Sequence, residues 1–389
     1  LSLPATQFVT FSGQNSGLFG LKAISKVGPV DITTIASIEK TKKEQLKYKG
    51  SNESSVVKIK DSEYIKNQYF YIHKWFRNGI DTTFNGSYIN IPPFYPLYEG
   101  AHLVGNVIIR DFDLYKLESA NDASTDPGIA YADLNDIENT ESQEGNYKRL
   151  EPGQDYSISK DLGFVRLRNR STNEAFGCTF VLANRQTGDT LLTVGSTIIA
   201  TDSTSSLILK MIKPISLTPS HSAWDLMFKN VYYMGASNIR KEGFAVRIVN
   251  QRQNPPSEYD LAGKPYITQF GLDSLNEAGV RQSDELIDME NSSIVNMLSG
   301  ELVFPTYHPF AYDSLAGGNQ NAELQSVLGQ GKMYTTTTQT EINNDSRFEM
   351  QIEYTNQSSN INLGFMIVEG SEQVFVDGLE LKRGVDYQI

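Results

Sequence analysis

The stretch whose reading decides the fold is Leu18-Phe-Gly-Leu-Lys-Ala-Ile-Ser-Lys-Val27, then Gly28-Pro29, then Val30-Asp-Ile-Thr-Thr-Ile-Ala-Ser-Ile-Glu39. Two alternating runs flank a Gly-Pro turn signal. With Gly28-Pro29 as the turn, Val27 pairs with Val30, Ser25 with Ile32, Ala23 with Thr34, Leu21 with Ala36 and Phe19 with Ile38. That face carries no charge over its whole length. The opposite face holds Lys22, Lys26, Asp31 and Glu39, with Lys26 directly across from Asp31. A transmembrane β-strand needs roughly 9–11 residues of this alternation, joined by a tight turn. Phe19, Leu21, Ala23, Val27, Val30, Ile32, Thr34, Ala36 and Ile38 are therefore the candidate membrane-facing residues. Beyond the hairpin, Lys40, Lys42, Lys43, Lys47 and Lys49 would leave the membrane zone. The pattern alone is equally compatible with a soluble amphipathic hairpin lying on a core, because barrel signals are weak per segment. The remaining chain does not repeat the pattern often enough to close a barrel. A membrane hairpin here requires further strands from outside these residues.

Composition narrows the classes. The chain has 389 residues, 39% of them hydrophobic, and no apolar run approaches the length of a transmembrane helix. Twenty Tyr, 19 Phe and 2 Trp can support a substantial packed core, which rules out a disordered tail. A net charge of −12 argues against nucleic acid as a partner. One cysteine, Cys178, cannot form an internal disulfide, and four scattered histidines leave little for a zinc site. The first residue is Leu1, and Leu1-Ser-Leu-Pro4 shows no signal-peptide pattern. Near the end, Leu381-Lys-Arg-Gly-Val-Asp-Tyr-Gln-Ile389 repeats Leu150-Glu-Pro-Gly-Gln-Asp-Tyr-Ser-Ile158 as L-x-x-G-x-D-Y-x-I. The first copy runs on into the strand-like Phe164-Val-Arg-Leu-Arg168, whereas the second stops at once. We expect the chain to be a segment of a longer protein.

The pattern is mainly β with a few short helices. Phe348, Met350, Ile352 and Tyr354 alternate with polar residues, and Phe244, Val246 and Ile248 do so more briefly. Val374-Phe-Val-Asp377-Gly378-Leu-Glu-Leu381 is a hairpin signal, with Val376 opposite Leu379 and Val374 opposite Leu381. Two helices are expected. The first starts at Asp61 or Ser62, carries a stripe of Ile65, Tyr69, Ile72 and Phe76, and ends at Gly79. The second carries Trp224, Met227, Phe228 and Val231 after Thr218-Pro219-Ser220, with Gly235 closing it. Between Lys116 and Lys148 lie eight acidic residues and no basic one, together with Asp126-Pro127-Gly128, which reads as a solvated loop. Residues 314–345, rich in Ser, Gly, Asn, Gln and Thr, read as a loop or linker. The expected divisions are therefore 1–50, a membrane-type hairpin; 51–205, a β-rich insert with one helix and the acidic loop; 206–330, a second insert with a helix; and 331–389, hairpin strands.

The search for chemistry yields no catalytic or cofactor motif, so no enzyme and no cofactor are expected. H-E-x-x-H, G-x-S-x-G, C-x-x-C and G-x-G-x-x-G are absent. Gly329-Gln-Gly-Lys332 fails as a P-loop, because Ser326 stands where the first Gly belongs and Met333 where Ser/Thr belongs. His73 reads as a packed residue, His308 as a loop residue, and Cys178 as a small buried hydrophobe in a strand. Asp273, Asn276, Asp284, Glu285 and Asp288 lack EF-hand spacing and read as a polar loop rather than a calcium site.

Several stretches together resemble one family. Phe11-Ser-Gly-Gln-Asn-Ser-Gly-Leu-Phe-Gly-Leu-Lys22 is followed by Val57-Lys-Ile-Lys60 and Tyr69-Phe-Tyr-Ile-His-Lys-Trp-Phe-Arg77. Then come Leu207-Ile-Leu-Lys-Met-Ile-Lys-Pro214, Trp224-Asp-Leu-Met-Phe-Lys-Asn-Val-Tyr232, Ser299-Gly-Glu-Leu-Val-Phe-Pro305 and Val376-Asp-Gly-Leu-Glu-Leu-Lys-Arg-Gly-Val-Asp-Tyr387. In this order the series resembles the SprA/Sov family and spans nearly all of the chain. The resemblance implies a very large outer-membrane β-barrel with periplasmic and extracellular inserts, the protein-conducting channel of the type IX secretion system, linked to gliding motility. It implies as partners secreted proteins with a C-terminal signal domain, plug and shuttle proteins of the secretion system, and outer-membrane lipid. It supplies no catalytic residues. The stretch Asn85–Tyr98, with Pro92, Pro93 and Pro96, departs from the regular strand the family leads one to expect there. The alternative is a secreted or cell-surface β-rich binding or adhesion module using exposed Tyr and Trp platforms.

Overall fold

The structure, a computed structural model, describes residues 18–27, 30–39, 54–84, 86–92, 105–119, 124–196, 206–276, 279–289, 291, 293–312, 318–355, 373–376 and 379–383. In chain order these form β1 (Leu18–Val27), β2 (Val30–Glu39), β3 (Ser54–Lys60), β4 (Tyr69–Tyr71), α1 (Lys74–Asn78), β5 (Ile80–Phe84) and β6 (Ser87–Ile91). Next come β7 (Val107–Glu118), β8 (Thr125–Tyr131), β9 (Ser142–Arg149), β10 (Tyr156–Ser159), β11 (Phe164–Leu167), β12 (Phe176–Asn184), β13 (Thr190–Val194) and β14 (Leu207–Lys213). A 3-10 helix at Ser222–Leu226 precedes β15 (Val231–Tyr233), β16 (Ala245–Asn250), α2 (Tyr266–Gln269), β17 (Val295–Asn296), β18 (Glu301–Val303), β19 (His308–Tyr312) and β20 (Gly318–Asn319). The chain ends with α3 (Lys332–Thr335), α4 (Gln339–Asp345), β21 (Phe348–Thr355), β22 (Val374–Val376) and β23 (Leu379–Leu381). This is the mainly β fold with short helices that the alternation anticipates.

Contacts divide the chain into two units: Leu1–Ser51 with Ser358–Ile389, and Asn52–Gln357. Positions 206 and 330, where composition suggests divisions, lie inside the second unit. In the first unit β1 and β2 pair antiparallel, with Val27 opposite Val30, Lys26 opposite Asp31, Ala23 opposite Thr34 and Phe19 opposite Ile38. This is the register set by a Gly28-Pro29 turn. β22 and β23 pair with Val376 opposite Leu379 and Val374 opposite Leu381, again as the turn signal dictates. Most of the second L-x-x-G-x-D-Y-x-I copy, from Gly384 on, lies outside the described residues. In the first copy, Glu151 N–H donates to Asp155 Oδ2 at 2.9 Å and Gly153 N–H to the Tyr156 carbonyl at 2.8 Å, forming a turn that launches β10.

The second unit is organised by a small closed sheet. β12 pairs with β14, β14 with β8 in parallel, β8 with β9, β9 with β7, and β7 with β12 again, so five strands close on themselves. β13 pairs with the later half of β12. Eight strands are needed for an interior just wide enough for ordinary side chains, so a five-stranded interior must be built from few large residues and several very small ones. It holds Tyr115, Tyr147, Leu207, Leu209 and Met211 around Ala130. A Cβ on Gly177 would lie 2.8 Å from Leu209 Cβ, and one on Gly128 would lie 2.7 Å from Leu207 Cβ. Gly177→Val should therefore lower stability by about 1–3 kcal/mol through overpacking, read as a fall in the melting temperature of the chain. An unchanged melt would mean that the barrel interior has room to spare.

The outer face of β7 and β12 is buried too. Val107, Ile109, Leu114, Phe176, Cys178, Phe180 and Leu182 face the main core, which is continuous with the sheet β16–β21–β3. β21 is central in that sheet, and Phe348, Met350, Ile352 and Tyr354 are all buried, as their alternation requires. Around them Phe270, Phe304, Phe310 and Phe348 meet at ring separations of 4.8 to 5.9 Å. Lys213, at the end of β14, is fully buried and donates to the carbonyls of Thr172, Glu174 and Pro214 at 2.6 to 3.1 Å. It thereby pins the Thr172–Glu174 loop to the barrel.

Four expectations are corrected. The first expected helix contracts to α1, because Tyr69, Phe70 and Tyr71 are buried on every side of a short strand and a run buried all round carries no reliable period. The imidazole of His73 accepts the Trp75 N–H at 3.3 Å, so the helix starts only there, and Gly79 ends it as expected. The second contracts to the five-residue 3-10 helix capped by His221, since pairing of β15 with β18 draws Val231 into a strand. The acidic stretch is not a loop throughout. It contains β8 and β9, whose inward positions include Gly128, Ala130 and Gly145, too small to register as an apolar pattern. The described part of the 314–345 stretch, residues 318–345, is not a linker: Leu324, Leu328, Met333, Tyr334 and Ile342 are buried. Within 80–98, β5 and β6 form a hairpin, and residues 93–98 lie outside the described residues.

Candidate functional site

The nine candidate membrane-facing residues occupy alternate positions of β1 and β2 in the expected register. Ten residues at ~3.3 Å rise extend ~33 Å, which at a tilt of ~40° spans the ~25 Å apolar band of an outer-membrane barrel. Among the described residues, β1 and β2 pair only with each other. An isolated two-stranded hairpin is marginal in water.

Elsewhere in the second unit, side chains far apart in sequence converge on a cleft of about 240 Å³. Its deep side is formed by Lys210, on the outer face of β14, and His73, at the start of α1. Both are 4% exposed. Lys210 stands opposite Cys178 in the β12–β14 ladder and donates to the Met211 carbonyl at 2.8 Å. That is its one hydrogen bond among the described residues, which leaves two N–H groups of the ammonium unmatched. Burial pushes the amine down to about 8. His73 uses Nδ1 to accept the Trp75 N–H. Nε2 therefore carries the proton of the neutral ring, and it has no partner among the described residues. Burial, followed by the charges of Lys210 and Lys74, holds the His73 pKa well below the usual histidine range.

The turn between β8 and β9 supplies the rim. Asp133 pairs with Lys74 at 3.4 Å and accepts the Asn135 N–H at 2.9 Å. Asp136 accepts from the Asn139 amide at 2.9 Å, and the Thr140 hydroxyl accepts the Asp133 N–H at 3.0 Å. Ser222, on the opposite wall, donates to Glu141 at 2.9 Å. The deep side is thus made of donors and the rim is mixed. The sequence offered one signal for this site: Lys210 stands between Ile208 and Ile212 on one face of a strand that is otherwise apolar up to its last residue, Lys213. Lys74, Asp133, Asp136, Asn139, Thr140 and Ser222 had no signal, because their partners lie 59 or more residues away or within an apparently solvated stretch.

The other sequence candidates sort as follows. Cys178 is fully buried, with its thiol pushed up to about 12 by burial, as a small hydrophobe would be. His308 opens β19 rather than a loop and stacks on Tyr334 at 4.6 Å between ring centroids, since β19 returns through the aromatic core. The Asp273–Asp288 segment uses its carboxylates internally. Asp273 accepts from Thr268, Ser283, Asp284 and Glu285, and Asp288 accepts the N–H groups of Ser274 and Leu275. Among the described residues no acidic, His or Cys group has the arrangement of a metal site. Trp224 is buried and donates to the Tyr334 carbonyl at 2.7 Å, while Trp75 packs half-buried against His73. No family model and no curated protein matches the chain.

Proposed function

We propose that this chain is a segment of the outer-membrane protein-conducting channel of the type IX secretion system, of the kind the SprA/Sov family provides. The observation that carries the reading is the β1–β2 pair of ten-residue strands, whose register sets a charge-free face against one holding Lys22, Lys26, Asp31 and Glu39. The ordered series of family-like stretches along the chain supports it. In this reading the hairpin is one strand pair of a large barrel whose other strands come from outside these residues. The compact unit from Asn52 to Gln357 is an insert carried between barrel strands. Function is then conduction and gating, with secreted proteins bearing a C-terminal signal domain as cargo and plug and shuttle proteins as partners. The channel needs no catalytic residue. Fractionation of cells making the intact gene product tests the reading directly. It should pellet with the outer membrane and require detergent for release; recovery in the soluble fraction would sink the proposal.

A further inference from the structure

We propose that the cleft over Lys210 and His73 binds a small monocarboxylate that also carries hydroxyl groups, a sugar acid. This inference stands apart from the membrane reading, since every residue it uses lies in the second unit.

Three observations lead there. The deep side presents only donors: two unmatched N–H groups of Lys210 and the Nε2–H of His73, on side chains 4% exposed. The His73 nitrogen is open to the cleft rather than sealed, and an ammonium on a largely buried side chain with one carbonyl partner gains from a further acceptor. A carboxylate would accept from both groups and give Lys210 the direct ion pair it lacks among the described residues, where Asp133 and Glu141 act on it only at longer range. The rim then fixes the class. Asp136, Asn139, Thr140 and Ser222 offer acceptors and donors at the mouth, which suit hydroxyl groups rather than an apolar tail. Asp133 and Asp136 also repel a second negative charge, which disfavours a phosphate dianion. Finally, at about 240 Å³ the cleft lies below the usual range for drug-sized ligands, so it suits a single sugar ring.

Calorimetric titration of the full chain with D-glucuronate, D-glucose and inorganic phosphate decides the matter. Glucuronate should bind saturably, with glucose and phosphate at least tenfold weaker. Lys210→Met should weaken glucuronate at least tenfold. Should that variant fail to fold, Lys74→Glu, at a 60% exposed side chain on the rim, should weaken it severalfold without affecting the core. Affinity should also fall as pH rises through about 8, where Lys210 discharges. The groups facing Lys210 are Cys178 on β12, Asp133 and Glu141 from the β8–β9 turn, Lys74 and His73 at α1, and His221 before the 3-10 helix. None of these has an ordinary pKa near 8 except Cys178, which burial holds at about 12. No glucuronate binding, equal binding of glucose, tighter binding of phosphate, or affinity indifferent to both substitutions and to pH would each overturn the proposal.

Discussion

Thr34→Arg in the intact gene product is expected to cut the amount of protein recovered in the outer membrane severalfold, with the missing material degraded or aggregated. Thr34 stands opposite Ala23 near the middle of the β1–β2 ladder, on the face without charge. In an outer-membrane barrel, Arg at the bilayer midplane costs about 2–4 kcal/mol, falling to about 0–1 near the interfaces. A loss of that size is a large fraction of the stability of most folded proteins. Leu21→Arg, nearer the strand end, should have a smaller effect of the same sign. Lys22→Glu changes charge on the opposite face and should leave the membrane pool intact. The measurement is the quantity of each variant in the detergent-extracted outer-membrane fraction. If Thr34→Arg and Lys22→Glu behave alike, the face does not meet lipid. If the hairpin instead lay on a soluble core, the contrast between faces would persist, but the wild-type protein would be recovered in the soluble fraction.

The parts of the fold legible in the sequence are those whose strands alternate apolar and polar residues. β1, β2, β16, β21 and the β22–β23 hairpin alternate cleanly, and their pairings follow from turn residues and parity. Legibility fails where that condition fails. β4 and β12 are buried on both faces, so neither shows a period of two, and the Tyr69–Phe76 stretch imitates a helix. In β8 and β9 the inward face is mostly glycine and alanine, with Tyr147 the large residue, because a five-stranded barrel has room for few bulky side chains. The signal left in the sequence is then the acid-rich outer face. The cleft was hidden for a further reason. Its floor joins β14 to the start of α1, and its rim comes from the turn that the acid-rich composition disguised as solvent. Only Lys210, out of place in an apolar strand, marked it. A buried lysine within a strand thus carries information that a motif search does not look for.

The same separation of sequence and contact makes Asp61 the residue whose loss should cost the second unit most. It lies just after β3, is fully buried, and joins the chain there to residues 285 or more positions later. Its carboxylate accepts the Ser346 hydroxyl, the Arg347 N–H at 2.7 Å and the Phe348 N–H at 2.9 Å. Its own N–H donates to the Phe348 carbonyl at 3.0 Å, and its carbonyl accepts the Tyr232 hydroxyl at 2.7 Å. Burial pushes the carboxyl up from the usual range while the three donors pull it back, so the bonds to 346–348 are what keep a charge acceptable there. In Asp61→Ala the main-chain contacts remain, but two backbone N–H groups and one hydroxyl lose their acceptor in a site closed to water. At about 1–3 kcal/mol for each buried donor, offset by the relief of a buried charge, the expected loss is about 3–5 kcal/mol. Asp61→Asn keeps one accepting oxygen and turns an amide toward a donor, so it should fall between alanine and wild type. Urea unfolding of the full chain, followed by tyrosine and tryptophan fluorescence, gives the three midpoints. A difference under about 1 kcal/mol for Asp61→Ala would mean that the main-chain ladder and apolar packing hold the junction of β3 and β21 without help from the carboxylate.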